Sequence, residues 1–123
     1  MLNLANKKCI PCEDKNMKPF TQEELADYLV EVPKWTLVEE ANPAPEQARD
    51  GARKISREFK FKTFVEAVDF VSGPIADIAE GEGHHPDIHI FYNTVRLEIW
   101  THAIGGLSEN DFIVASKIDA IFP

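Results

Sequence analysis

The sequence predicts an α+β two-layer sandwich, with a four-stranded antiparallel sheet covered by helices on one face. Three segments open with a helix-capping signature, Thr or Ser followed three residues later by Glu or Asp, at Thr21, Thr63 and Ser108. Between them lie two pairs of short segments with alternating apolar side chains, as in half-buried strands. The order helix-β-β-helix-β-β-helix is typical of this architecture, and it leaves the other sheet face free for ligand or subunit contact.

Length and charge limit the class of protein. The 123 residues are 44% hydrophobic and 28% charged, which is the size and composition of one compact domain. The net charge of −8 repels phosphate backbones and anionic lipid, so we expect no direct nucleic-acid binding and no membrane partner. No run approaches the ~18 apolar residues of a membrane span. Only two cysteines are present, which favours a reducing, cytoplasmic location.

The helical segments follow an irregular start of the chain. Residues 1–20 show no sustained periodicity and are predicted to form an irregular N-terminal arm, whereas residues 21–123 form the single domain. The first helix begins at Thr21 and ends before Pro33. The second runs from Thr63 to about residue 80, with a kink at Gly73-Pro74, and the third follows Ser108.

The strands are predicted over residues 35–40, 54–62, 88–92 and 94–101. The first two would form a hairpin around the loop at residues 41–51. In the fourth strand Val95, Leu97 and Ile99 would face the core, which places Trp100 and, if the strand extends so far, His102 on the opposite face.

All four histidines lie between positions 84 and 102, at His84, His85, His89 and His102. Pro86 disfavours helical angles at His85, so the chain is expected to turn there from helix to strand. Imidazole exchanges protons near neutral pH, which suits it to acid–base catalysis. A single histidine in a turn is usually just solvated. Three imidazoles together with Glu80 or Asp87 could instead bind zinc. The adjacent pair and the lack of an i,i+4 histidine pair on a helix argue against metal.

A spaced set of residues carries a resemblance to a known family. Glu80-x3-His84-His85-Pro86 is followed by His102, in the run Trp100-Thr101-His102-Ala103, and by Asp111 nine residues later. Together with Pro33-Lys34-Trp35 near the first strand, this pattern closely resembles the pterin-4a-carbinolamine dehydratases. The resemblance covers nearly the whole chain.

The resemblance implies a hydro-lyase that converts a 4a-hydroxytetrahydropterin to the quinonoid dihydropterin during tetrahydrobiopterin recycling, without metal or cofactor. It implies a catalytic set of His84, His85, His102 and Glu80, in which the imidazoles move protons and the carboxylate orients one imidazole or the pterin. Substrate contacts are expected from Trp100, Pro86 and Asp111. For Asp111 the alternative is a purely structural role as the third residue of the last capping box. Homo-oligomers, dimers or tetramers, are also implied.

Other interpretations stay open at this point. Members of the same family also act as binding modules, in transcription-factor dimerisation or as assembly factors, and a related fold could act on another pterin such as a molybdenum-cofactor intermediate. His89 has no match in the pattern and is expected to be a solvated strand residue. Cys9 and Cys12 lack the further ligands of a zinc site and the strand and helix that flank a redox motif, so they are expected to be plain thiols.

Overall fold

The predicted architecture is confirmed by a computed structural model that describes residues 3–9, 18–39 and 53–122. Four antiparallel strands are ordered β1-β2-β4-β3 in one sheet. The strands are β1 Thr36–Glu39, β2 Arg53–Lys60, β3 Asp87–Phe91 and β4 Thr94–Ile99. The helices are α1 Gln22–Leu29, α2 Phe64–Phe70, α3 Ala76–Glu82 and α4 Glu109–Ile121.

Each predicted capping signature begins a helix. Thr21 and Thr63 each accept a hydrogen bond from the backbone of the glutamate three residues on, and those glutamates accept one from the cap residue in return. Ser108 and Asp111 form the same box at the start of α4. These boxes satisfy backbone N–H groups that an isolated helix start would leave without partners.

The predicted kink is a π-helical turn, Val71–Ile75, that joins α2 to α3 and contains Pro74. Proline lacks the N–H that would continue the regular ladder, so a wider turn at this point keeps both helices on one path. Helix α3 ends at Gly83, whose positive φ of 65° closes the helix.

The sheet register buries one face of the two central strands. Ile55 lies opposite Ile99, and Phe59 lies opposite Val95, and all four side chains are buried under the helices. The predicted hairpin of β1 and β2 is confirmed by antiparallel pairing of Thr36 with Ser56. Its connecting loop, predicted at residues 41–51, lies outside the described residues.

The last strand is shorter than predicted, and this changes the place of His102. Strand β4 ends at Ile99, and Thr101 retains only an isolated bridge to Gly106. The chain then tightens into a 3-10 turn, His102–Ile104, closed by Gly105 at a φ of 64°. His102 therefore belongs to this turn and not to the sheet. The backbone N–H of Thr101 donates to Gly106 and its carbonyl accepts from Gly105, so these groups close the turn and do not pair with a strand.

The core lies between the sheet and α4. Phe59, Leu97, Phe112 and Ile118 are among its fully buried side chains. The start of the chain also reaches this layer, since Leu4 is buried. The boundary predicted between residues 1–20 and 21–123 stays a prediction. Within the described ranges, no helix has the length and hydropathy needed to cross a bilayer.

Candidate active site

The segment from His84 to Asp87 connects α3 to β3 and aims consecutive side chains in different directions. Gly83 ends the helix, and the backbone N–H of His84 donates to the carbonyl of Ala79 at 3.1 Å. His84 is buried and His85 is exposed. Pro86 is buried and leads directly into the edge strand. Consecutive residues of this short stretch therefore lie in different environments: His84 and Pro86 are buried, and His85 between them faces solvent.

His85 and Glu80 form a pair on the surface. Nε2 of His85 lies 2.5 Å from Oε2 of Glu80, and the two side chains are 58% and 76% exposed. Their separation of five residues spans the last turn of α3 and the turn after it, which folds His85 back towards the helix. Both groups are therefore open to a ligand as well as to each other.

A cavity of about 330 Å³ adjoins this pair. That volume is at the lower end of small-molecule sites, roughly 300–1,000 Å³. Apart from Glu80, His85 and Ser72 its lining is apolar, with Val71, Ala76, Ala79, Pro86 and Ile88. A larger depression of about 800 Å³ lies between Lys60 and Pro74 but contains no histidine. The smaller cavity combines apolar walls with an acid–base pair.

His84 faces a buried carboxylate. Its Nε2 lies 2.6 Å from Oδ1 of Asp111, and the side chains are 4% and 0% exposed. Oδ2 of Asp111 accepts hydrogen bonds from the Thr101 hydroxyl at 2.8 Å and from the Ser108 backbone N–H at 2.9 Å. Both oxygens of Asp111 are thus held by protein groups. The capping role that the sequence left open for Asp111 is confirmed.

His102 and Trp100 meet at Asp87. The indole Nε1 of Trp100 donates to Oδ2 of Asp87 at 3.0 Å, and Nε2 of His102 lies 3.8 Å from Oδ1 of the same carboxylate. The two rings are 4.2 Å apart, centroid to centroid. From the sequence, Asp87 was a candidate only as a zinc ligand and not as a catalytic or substrate-binding residue, although its position directly after Pro86 was an available signal.

His89 lies apart from the others on the open sheet face. Its Nε2 is 3.2 Å from Oε1 of Glu98, which also lies 3.2 Å from Nζ of Lys54. Burial alone would raise the pKa of Glu98, but the hydrogen bonds and charges of Lys54 and His89 outweigh it and hold that pKa below the ordinary 4.5. This arrangement is a surface charge network of the sheet.

Cys9 lies between α3 and α4, half-buried. Its backbone N–H donates to Oε1 of Glu82 at 2.9 Å, and its thiol lies 3.6 Å from the carbonyl of Asn110. Cys12 lies outside the described residues. Among the described side chains, no group of three His, Cys, Asp or Glu residues is arranged to hold a metal ion.

The predicted site residues thus form three separate groups around the segment from His84 to Asp87. Glu80, His85 and Pro86 share the cavity. His84 is joined to Asp111, while His102 and Trp100 share Asp87. The spacing in the sequence indicated that these residues belong together, but it carried no information on which carboxylate each imidazole would face.

Comparison with known proteins shows the family. The family model described as pterin 4 alpha carbinolamine dehydratase matches residues 18–121. A protein of Arabidopsis thaliana described as mitochondrial pterin-4-alpha-carbinolamine dehydratase 2 is 42% identical over 98% of this chain, which spans 60% of that relative. A putative pterin-4-alpha-carbinolamine dehydratase of Methylococcus capsulatus is 42% identical, and the match covers 97% of this chain and 93% of that relative.

A solved structure agrees in fold and sequence. The crystal structure of a transcriptional coactivator/pterin dehydratase from Brucella melitensis matches with a TM-score of 0.68 and 31% identity, covering 86% of this chain and all of that one. The family model, the relatives and the fold are in agreement. This chain therefore belongs to the pterin 4 alpha carbinolamine dehydratase family.

Proposed function

We propose that this protein dehydrates a 4a-hydroxytetrahydropterin to the quinonoid dihydropterin by histidine acid–base catalysis. One observation carries the proposal: each imidazole of the family pattern lies beside its own carboxylate, around the single segment from His84 to Asp87. The pairs are His84 with Asp111, His85 with Glu80 and His102 with Asp87. An imidazole beside a carboxylate is well placed to hold a proton and release it.

The reaction requires one proton to be delivered and another to be removed. The bond between C4a and its hydroxyl oxygen breaks, and a proton added to that oxygen lets it leave as water. The N5–H proton is taken up by a base, and its electron pair forms the N5=C4a double bond. No electrons are gained or lost overall. Two groups that exchange protons near neutral pH, placed near the same ring, are sufficient for this chemistry.

His85 is assigned to one of the two proton transfers. Its imidazole and the Glu80 carboxylate stand on the rim of the cavity, where the apolar walls of Ala79, Pro86 and Ile88 suit a flat ring system. His102, whose ring lies 4.2 Å from that of Trp100, is assigned to the second proton transfer. Which of the two acts as acid is left to the experiment.

The test follows dehydration of freshly generated 4a-hydroxytetrahydropterin by absorbance. His85→Ala should lower kcat by roughly 10²- to 10⁴-fold, the usual contribution of a positioned acid–base group. His89→Ala is the matched control, because His89 also pairs with a carboxylate but lies on the open sheet face. It should keep the wild-type rate. Each protein is also assayed after treatment with a chelator, which should not change its rate.

The outcomes separate the competing interpretations. Equal rates for wild type and His85→Ala would overturn histidine catalysis at this site, and loss of activity with chelator alone would indicate a metal-dependent reaction. Running the assay with several pterins distinguishes this substrate from another pterin, such as a molybdenum-cofactor intermediate. Absence of turnover with every pterin would reject the enzyme assignment.

A binding role is the second candidate, supported by exposed apolar side chains on the edge strand. Ile88, Ile90 and Phe91 of the edge strand β3 are exposed, and so is Tyr92, which follows it. An edge strand with exposed apolar side chains is a site where another chain can add. The same surface supports the prediction of a homo-oligomer, which light scattering on the purified protein would test.

A cytoplasmic location also stays a prediction. The two cysteines support a reducing compartment, whereas the relative from Arabidopsis thaliana is described as mitochondrial. Subcellular fractionation of the source cells would distinguish the two.

A further inference from the structure

Residues 4–9 form a strap that lies across the end of α3 and the start of α4. The strap begins with a 3-10 turn, Leu4–Asn6, whose Leu4 side chain is buried. Nζ of Lys117 in α4 donates to the carbonyl of Ala5 at 2.9 Å, and Nζ of Lys7 lies 2.9 Å from Oε2 of Glu109. The family model begins only at residue 18, so these contacts are made by a part of the chain outside the matched segment.

The end of α3 carries charges of the wrong sign for a helix end. Within α3, which is described in full as Ala76–Glu82, the last turn holds Glu80 and Glu82 and no basic side chain. The carbonyl groups at a helix C-terminus carry partial negative charge, so carboxylates destabilise this end and cations stabilise it. A helix of seven residues is also too short to be stable alone. The end of α3 therefore depends on groups from elsewhere in the chain.

The strap supplies such groups. Nζ of Lys8 donates to the carbonyl of Gly81 at 3.1 Å, and the backbone N–H of Cys9 donates to Oε1 of Glu82 at 2.9 Å. The other oxygen of Glu82 lies 3.7 Å from Nζ of Lys117. Burial would raise the pKa of Glu82, but the hydrogen bond from Cys9 and the nearby lysine charges outweigh it and hold that pKa below the ordinary 4.5. Glu82 thus stays ionised near neutral pH although its side chain is only 10% exposed.

We propose that the strap is a positioning element of the active site, which closes the end of α3 so that Glu80 stays opposite His85. The proposal rests on the proposed dehydratase function, because His85 is assigned there to a proton transfer. Glu80 directly precedes Gly81, and His85 follows Glu82 by three residues. A shift of this last turn would therefore move both members of the pair relative to the cavity that they line.

Glu82→Ala distinguishes the strap from the intrinsic preference of the helix, because the two predict opposite signs. Alanine is the best helix former, and loss of a carboxylate from a C-terminal turn removes an unfavourable charge. Helix preference alone thus predicts a more stable end of α3. The strap predicts a less stable end, because the Cys9 N–H and Lys117 lose this carboxylate. Glu82→Gln keeps an oxygen for the Cys9 N–H and should fall between Glu82→Ala and wild type.

Lys8→Met tests the same contact from the strap. Methionine keeps most of the length of the side chain but removes the donor to the Gly81 carbonyl and the positive charge. Lys8→Arg keeps both the charge and the capacity to donate, so it should behave as wild type. Lys60→Met is the matched control, since it makes the same change at an exposed position of β2 that lies outside the cavity lining.

The experiment combines amide hydrogen exchange over residues 79–85, measured by mass spectrometry on the full chain, with steady-state kinetics. Exchange in Lys8→Met and Glu82→Ala should be roughly 5- to 30-fold faster than in wild type. Their kcat should fall roughly 3- to 10-fold, less than the 10²-fold loss that a misplacement of 1 Å can cause, with a smaller change in KM. Lys8→Arg and Lys60→Met should match wild type in exchange and in kcat.

The positioning role would be overturned by slower exchange in Glu82→Ala, or by wild-type exchange or wild-type kcat in Lys8→Met. The same losses in Lys8→Arg or Lys60→Met would also overturn it, because they would not depend on the donor to Gly81. Hydrogen exchange does not require turnover. If wild type dehydrates no pterin while exchange rises as expected, the proposed function fails and the contact between the strap and α3 still holds.

Discussion

The rings of Trp100 and His102 lie 4.2 Å apart because one carboxylate, that of Asp87, draws both towards the start of β3. Trp100 donates to one oxygen of Asp87, and His102 faces the other. The two ring residues follow the end of β4, whereas Asp87 opens its neighbour β3. Asp87 therefore couples a predicted catalytic imidazole to a predicted substrate-binding ring.

Substitutions of Asp87 should separate these two contacts. Asp87→Ala removes the acceptor for Trp100 and the charge beside His102, so we expect kcat to fall roughly 10- to 100-fold with a higher KM, as misplaced site residues typically cause. Asp87→Asn keeps an oxygen for the indole N–H and loses only the charge, so it should lower kcat while KM stays near the wild-type value. Steady-state kinetics with the 4a-hydroxytetrahydropterin gives both constants.

The control for this pair is Asp69→Asn, which removes a charge from an exposed position of α2. It should match wild type in both constants. Wild-type kinetics for Asp87→Asn and Asp87→Ala would show that the contact has no part in turnover.

Gly106 lies where its backbone approaches another segment closely. A Cβ at this position would lie 2.9 Å from Cβ of Pro19, and the next residue, Leu107, accepts a hydrogen bond from the Phe20 backbone N–H at 2.7 Å. Gly106→Ala should therefore push the two segments apart and lower the free energy of unfolding by about 1–3 kcal/mol. Urea denaturation followed by circular dichroism measures this change.

The comparison variant is Gly81→Ala in α3. An added Cβ at Gly81 meets nothing within 4 Å, and alanine favours helix over glycine by roughly 0.5–1 kcal/mol. This variant should be as stable as wild type or more so. Equal unfolding midpoints for Gly106→Ala and wild type would mean that the Pro19 segment moves away at no cost.

Tyr28 should make the fold sensitive to alkali. Burial, together with the hydrogen bond of 2.7 Å to Glu109 and the negative charges nearby, raises its pKa from 10 to about 12. Because the folded protein holds this proton more tightly than the unfolded chain, the contribution is complete below pH 10 and is lost as the pH rises towards 12.

Spectroscopic titration of phenolate absorbance tests this assignment. Wild type should show a phenolate transition near pH 12 that is absent in Tyr28→Phe and retained in Tyr92→Phe. The loss of stability between pH 10 and 12 should be smaller in Tyr28→Phe than in wild type. A transition that survives in Tyr28→Phe would assign it to another group.

The outline of the fold follows from local chemistry. The Thr21, Thr63 and Ser108 signatures each begin a helix because a capping side chain lies within one turn of the N–H it satisfies. Pro74 marks the irregular turn because its ring removes a backbone donor wherever it stands. Alternation in β4 identified the buried Val95, Leu97 and Ile99 because successive strand side chains point to opposite faces.

The end of β4 was not predictable from the same pattern. Thr101 continues the alternation, yet its backbone bonds close the turn to Gly105 and Gly106. The choice between strand and turn depends on a partner strand, and β2 pairs with β4 only up to Ile99. The alternation of side chains along β4 does not indicate where its partner strand stops pairing with it.

The sequence by itself determined the fold class, the family pattern and the set of histidines, because all three are encoded in residue type and spacing. Only the tertiary structure decided how that set divides. It buried His84 against Asp111 and left His85 exposed beside Glu80, although the two histidines are adjacent in the chain. The reason is physical: solvent exposure and the identity of a neighbouring carboxylate depend on helix ends and turns that bring together residues distant in sequence.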